Sequence, residues 1–141
     1  MPAEKIVHHM LSNDAFSQWL GIAVIELHPG YCKLKMMVRK EMTNGFAIAH
    51  GGITYSLADS ALAFAANGYG IHALSIDTSI AHTRPVHVGD EIIAEALEKS
   101  HTKRFGIYEV QVTNQRKELV ALFKGTVYRT GKEWAVEDLP L

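Results

Sequence analysis

The sequence predicts an α+β domain in which one curved, mostly antiparallel sheet wraps one long central helix. Three observations lead there. An apolar, alanine-rich segment between residues 44 and 67 is long enough for one helix and contains His50-Gly51-Gly52 at its entrance. The segments on either side alternate apolar and polar residues with the period of a strand. Their connections are short and rich in turn formers, which favours antiparallel neighbours.

Residues 3–11 suit a short amphipathic helix, with Ile6, Val7, Met10 and Leu11 on one side and Pro2 near its start. Asn13 or Asp14 can cap a second helix, AFSQWL, which Gly21 would stop. This N-terminal extension, residues 1–20, reads as a lid packed on the core through Phe16, Trp19 and Leu20. Residues 21–27 read as a strand, followed by a turn at His28-Pro29-Gly30. Along residues 31–40, Cys32, Leu34, Met36 and Val38 face one way and Lys33, Lys35, Met37 and Arg39 the other. That is a half-buried strand with one wet face. The central helix, about 18 residues, would be about 27 Å long. It can cover a sheet face only if the sheet curls around it, and Ala58, Ser60, Ala61, Ala63, Ala65 and Ala66 let strands come close.

Residues 73–82 alternate again, with Leu74, Ile76 and Ile80 on one face and Ser75, Asp77 and Ser79 on the other. Arg84-Pro85 and Val88-Gly89-Asp90 mark a break. Residues 91–99 are ambiguous, because Ile92, Ile93, Ala96 and Leu97 also suit a helix. Residues 102–104 look like a turn; 105–113 and 119–130 read as strands joined around 114–118. The acidic tail, 131–141, reads as loosely held. Residues 1–141 are thus expected to form one domain whose outer sheet face meets water or a second copy.

The composition is that of an ordinary globular chain, 48% hydrophobic and 21% charged, and 141 residues can bury a real core. A net charge of -1 supplies no long-range pull toward nucleic acid or an anionic membrane. The single cysteine, Cys32, excludes an internal disulfide and fits a reducing compartment. The first residues lack the apolar core of a secretory signal, and the apolar run 53–66 is too short to span a bilayer. A soluble, cytoplasmic protein is expected.

Between Glu41 and Asp77, Asp59 is the only side chain with a formal charge when histidines are neutral. Burying a carboxylate unpaired costs several kcal/mol, so Asp59 either points to water or is placed there for chemistry. Gly51 and Gly52 precede the helix, where open backbone N–H groups and the helix N-terminus favour a phosphate or the oxygen of a polarised carbonyl. The histidines show no metal-ligand spacing, there is no Gly-x-Ser-x-Gly elbow, and Cys32 falls on the apolar face of its strand. Gly51 and Asp59 are eight residues apart, about 12 Å along a straight helix. One helix cannot bring both to one carbonyl, but two helices related by a two-fold axis can. A site shared between two subunits is therefore expected.

Asn44, His50-Gly51-Gly52, Leu57-Ala58-Asp59, Asn67 and Ser75-x-Asp77, with the later Arg84-Pro85-x-x-x-Gly89-Asp90, resemble the hotdog-fold acyl-CoA thioesterases of the phenylacetate-pathway (PaaI-like) group. The likeness covers roughly residues 40 to 130. It implies a hotdog fold, homodimers often paired into tetramers, and hydrolysis of a coenzyme A thioester without a cofactor or metal. It also implies roles: Asp59 as the catalytic carboxylate, Gly51 as the backbone donor to the carbonyl and Asn44 as a residue positioning water or substrate. His50 would help near the leaving thiol and Ser75 would assist on the Asp59 side. Gly52 would contact substrate. The coenzyme A phosphates need cations, for which Arg84, Lys103, Arg104 and Lys124 are candidates. Two alternatives share the fold: a non-catalytic acyl-CoA-binding module, and a 3-hydroxyacyl thioester dehydratase in which His50 and Asp59 meet across a dimer. The first would not need Asp59, and the Gly-Gly after His50 favours hydrolysis over the second.

Overall fold

The computed structural model describes residues 2–139. Their elements run α1 Pro2–Ser12, α2 Ala15–Leu20, β1 Ala23–His28, β2 Tyr31–Met37, α3 Gly51–Asn67, β3 Ile71–His82, β4 Glu91–His101, β5 Phe105–Thr113 and β6 Leu119–Glu133. Short 3-10 turns occur at Lys40–Met42 and Val136–Asp138. The strands form one sheet in the order β1-β2-β4-β5-β6-β3, and every adjacent pair is antiparallel. α3 contacts all six strands. No helix among the described residues is long and apolar enough to cross a membrane.

Local chemistry sets the helix ends. Asp14 accepts the Ser17 N–H at 2.9 Å and the Ser17 hydroxyl at 2.6 Å, which starts α2. Gly21, at φ 75°, occupies the left-handed conformation that ends it. His50 caps α3 through its own ring. The alternation predicted for β2 is present: Cys32, Leu34, Met36 and the following Val38 are buried. Ala58, Ala61, Ala65 and Ala66 are fully buried on α3, so strands seat almost against the helix backbone. At Gly125 of β6 the seating is tightest, because a Cβ there would come within 2.6 Å of Leu62 Cδ2.

Several expectations are corrected. Leu20 anchors α2, but Phe16 and Trp19 are 52% and 46% exposed. They stack on each other, and the Arg39 guanidinium lies 4.9 Å from the Trp19 ring centre, so this pair coats the surface. Ser17 is buried instead, its hydroxyl 2.8 Å from that of Ser60 on α3. The ambiguous residues 91–99 are strand: Ile92, Ala94 and Ala96 are buried in alternation, and β2 and β5 satisfy the backbone on both sides. The loose tail is also corrected over its described part. β6 continues to Glu133, and the Trp134 indole donates to Asn67 Oδ1 at 3.0 Å while stacking 4.0 Å from His72. Residues 140–141 of that tail lie outside the described residues. Finally, the alternation of β3 does not bury its apolar face. β3 is a sheet edge, and Leu74 and Ile76 are 64% and 59% exposed.

Candidate active site

The N-terminus of α3 is framed by the loop that precedes it. Thr43 and Ala49 form a bridge, the Asn44 N–H donates to Ile48 O at 2.8 Å, and Asn44 Oδ1 accepts the Phe46 N–H at 2.9 Å. This loop turns through Ala47 at a left-handed φ of 59°. The Asn44 oxygen is thus committed to the loop, and its amide N–H2 is the end left for a ligand. His50 Nδ1 accepts the Gly52 N–H at 3.1 Å. In the neutral ring the proton then sits on Nε2, which is a donor. The Gly52 N–H is therefore spent within the protein, a correction to the reading of both glycines as open. The Gly51 N–H has no acceptor among the described residues. It is the one backbone donor of this pair available to a carbonyl oxygen.

Gly51 and Asn44 line a cavity of about 410 Å³ with Thr54, His82, Arg84 and Pro85. Thr54 and His82 escaped the sequence reading. The Thr54 hydroxyl donates to Gly51 O at 3.1 Å and lies 3.2 Å from His82 Nδ1. Having given its proton away, the hydroxyl accepts from Nδ1, which leaves His82 Nε2 without a proton in the neutral ring. That nitrogen would sit 3.1 Å from a Cβ placed on Gly51. Glycine at 51 thus makes room for the ring. Thr54, one turn into the helix, carried a weak signal through its spacing from Gly51; nothing in the sequence brings β3 and His82 to this place.

Asp59 lies midway along α3, half-buried. It lines a smaller cavity of about 180 Å³ with Met10, Asn67, Leu74 and Ser75. Burial, and after it the negative charge of Asp14, push its carboxyl above the usual carboxylate range. Among the described residues no cation lies in salt-bridge range of it. Ser75 joins this cavity although simple alternation does not bring it there, and the register of β3 slips between Ser75 and Asp77. Such a bulge re-aims side chains. Asn67 ties the end of α3 to β3: its amide pairs with both the N–H and C=O of Ala73, at 3.0 and 3.1 Å.

The predicted residues therefore fall into two groups. Asn44, His50, Gly51 and Arg84 gather at the start of α3; Asp59 and Ser75 gather around a separate cavity. Arg84 also makes an exposed contact of 3.8 Å with Glu118. Lys103 and Arg104 line a third cavity, with Arg129, and Lys124 is exposed on β6 opposite Ser79 and Glu109.

Comparison with known proteins adds the family. Residues 46–121 match the family model described as "Thioesterase superfamily". The chain is 38% identical over 124 residues to "Acyl-coenzyme A thioesterase PaaI" of Escherichia coli, covering 88% of this chain and 89% of that one. The solved structure of the Escherichia coli PaaI protein from the phenylacetic acid degradation operon superposes with a TM-score of 0.91 at 36% identity, over 94% of this chain and 96% of that one. A mutant form of the phenylacetic acid degradation protein PaaI from Thermus thermophilus superposes with a TM-score of 0.79 at 38% identity, over 82% of this chain and 99% of that one. With its antiparallel sheet on α3 and this match through the His50-Gly51-Gly52 and Asp59 segment, the chain belongs to the thioesterase superfamily and is a hotdog-fold relative of the PaaI thioesterases.

Proposed function

We propose that this protein hydrolyses an aryl- or acyl-CoA thioester to the free acid and coenzyme A at a site built by two subunits. The observation that carries the reading is the division of the site residues. Within one protomer the carbonyl-binding group, Gly51, and the base, Asp59, line separate cavities and are about 12 Å apart along α3. Each cavity holds half of what thioester hydrolysis needs. A two-fold axis that sets Asp59 beside the partner subunit's Gly51 completes both halves at once. The edge strand β3 supports this arrangement. It is 12 residues long, exposes Leu74 and Ile76, and borders the Asp59 cavity through Leu74 and Ser75. Such an edge invites pairing with a second chain. Pairing of two such dimers gives the tetramer. The lone Cys32 and the absence of an exposed reactive thiol suit a reducing, cytoplasmic setting.

In this reading the thioester carbonyl oxygen accepts the Gly51 N–H, with the α3 N-terminus behind it. Asp59, made more basic by burial, takes a proton from a water held with Asn44 and Ser75. The water oxygen bonds to the carbonyl carbon, and negative charge moves to the carbonyl oxygen. As the tetrahedral intermediate collapses the C–S bond breaks, and the thiolate takes back the proton that Asp59 removed. The His50 Nε2–H donates a hydrogen bond to the departing sulfur. Arg84 lies in the same cavity as Gly51 and supplies positive charge for the coenzyme A end.

The test is thiol release from a panel of phenylacetyl, hydroxyphenylacetyl, benzoyl and medium-chain CoA thioesters. Release that falls by about 100- to 10,000-fold in Asp59→Asn, with substrate still bound, supports the reading. Binding without release in the unaltered protein, or undiminished release in Asp59→Asn, overturns it. A single turnover in ¹⁸O water separates the two chemistries open to Asp59. Label in the Asp59 carboxylate means direct attack on the thioester, because only an acyl-enzyme anhydride opened by water at the Asp59 carbon puts it there.

A further inference from the structure

The C-terminal end of the chain reaches the Asp59 cavity from behind. β6 runs on to Glu133, and the backbone N–H of the next residue, Trp134, donates to Gly70 O at 2.9 Å. That bond holds the indole over the turn between α3 and β3. The indole stacks on His72 with ring centres 4.0 Å apart. His9 of α1 meets it at a steep angle of 73°, with centres 6.0 Å apart. Its Nε1–H donates to Asn67 Oδ1 at 3.0 Å. One side chain beyond the last strand thus touches α1, the last residue of α3 and the start of β3.

Two of those contacts are one step from the Asp59 carboxylate. Met10, the neighbour of His9, and Asn67 both line its cavity, with Leu74 and Ser75. Asn67 is 2% exposed, and its amide has no bond to spare. Nδ2 donates to Ala63 O at 2.8 Å and to Ala73 O at 3.1 Å; Oδ1 accepts from Ala73 N at 3.0 Å and from the indole. A saturated buried amide keeps one orientation, since any other leaves a buried polar group unpaired. Through Ala73 that orientation also sets the start of β3, from which Leu74 and Ser75 follow. The indole therefore ties the α1 wall of the cavity to its α3–β3 wall. Ile6 and Val7, both buried, seat α1 independently, so the indole adjusts that wall rather than carrying it. The cavity measures about 180 Å³, and an apolar hollow of about 150 Å³ is enough to take one benzene ring. In so small a space a slight retreat of either wall changes which acyl group fits.

We propose that Trp134 is a positioning residue for acyl selectivity: it fixes the separation of the two walls of the Asp59 cavity, and so decides which acyl groups lie productively beside the carboxylate. Trp134 does not line the cavity itself and acts through Asn67 and through His9 on α1. The inference rests on the thioesterase reading above, with the acyl group entering this cavity.

The test measures kcat/KM for the same panel of CoA thioesters in the unaltered protein and in Trp134→Ala. The spread between the best and the poorest acyl group should shrink at least about tenfold in the variant, the size of effect that one methylene in an apolar pocket carries. A general loss of fold lowers every substrate alike, so an unchanged spread overturns the proposal. An unaltered protein that shows no such spread overturns it too. A second measurement decides even if Trp134→Ala fails to fold. The Trp134 indole N–H resonance, told from that of Trp19 with Trp134→Phe, is followed by NMR in the intact protein while phenylacetamide or hexanamide is added. These are uncharged stand-ins for an aryl and a straight-chain acyl end, and they meet no charge repulsion from Asp59. Filling the cavity should shift the resonance through Asn67; a resonance unmoved by both amides overturns the proposal. A shift in a protein that releases no thiol from any thioester removes the thioesterase reading and leaves Trp134 as the brace of a ligand cavity.

Discussion

Subunits that each lack a different half of the site should restore activity to one another. The perturbations are Asp59→Ala in one chain and Gly51→Pro in the other. Proline fits the first position of a helix and removes the N–H that would meet the carbonyl oxygen. Its Cβ would meet His82 Nε2 at 3.1 Å, which the ring can relieve by a small shift. Alone, the Gly51→Pro homodimer should lose about 100- to 1000-fold in turnover, as for other lost oxyanion donors. In a mixed dimer, one centre combines the intact Asp59 with the intact Gly51 and the other combines both defects. Random pairing at equal amounts makes half of all dimers mixed, each with one of two centres intact. The mixture should therefore recover about a quarter of the unaltered activity, and purified mixed dimers about half. Two different affinity tags allow the mixed dimers to be isolated, and thiol release measures the result. Circular dichroism checks that both chains are folded. Mixed dimers no more active than either parent would refute a site divided between subunits.

Three further outcomes follow from the same structure. Because burial and Asp14 hold the Asp59 carboxyl above the ordinary aspartate value of about 3.9, kcat/KM should rise along a limb centred above that value, and Asp14→Asn, which still caps α2, should move the limb to lower pH. The sign for stability is opposite to that of a salt-bridged acid: the folded state holds this proton more tightly than the unfolded chain, so the contribution is full in acid and is lost as pH rises through the folded value. Asp59→Asn should thus be more stable than the unaltered protein at neutral pH in urea unfolding, with the gain shrinking as pH falls through the raised folded value and gone below about pH 4. Gly125→Ala forces a methyl within 2.6 Å of fully buried Leu62 and should cost about 1–3 kcal/mol by the same measurement. Cys32, fully buried and with its thiol pushed up to about 12, should resist thiol reagents in the native protein and react once it is denatured.

Much of the fold was legible because its signals are local. Asp14 and Gly21 bracket α2 through their own hydrogen bonds and backbone angle, and β2 declares its buried face residue by residue. α3 is bounded where His50 and Asn67 stand. What the sequence hid depends on neighbours distant in the chain. Residues 91–99 carry apolar side chains compatible with two periods, and only β2 and β5 on either side decide for strand. Phe16 and Trp19 look like core aromatics until Arg39, from beyond β2, covers the indole at the surface. The tail's order comes from one indole reaching Asn67, across half the chain. Within the site, Asp59 stood out as a lone charge in an apolar run, and Gly51 stood out by its place before a helix. Ser75 needed the register slip in β3, and His82 is visible only once β3 is set beside α3.

The alanine face of α3 reaches beyond architecture. Strands resting on Ala58, Ala61, Ala65 and Ala66 leave an acyl tail no berth between helix and sheet. On the proposed function, the tail is expected at the margin, where Met10 and Leu74 border the carboxylate. Preference for one chain length or ring over another would then rest on peripheral side chains, which can change without disturbing the interior.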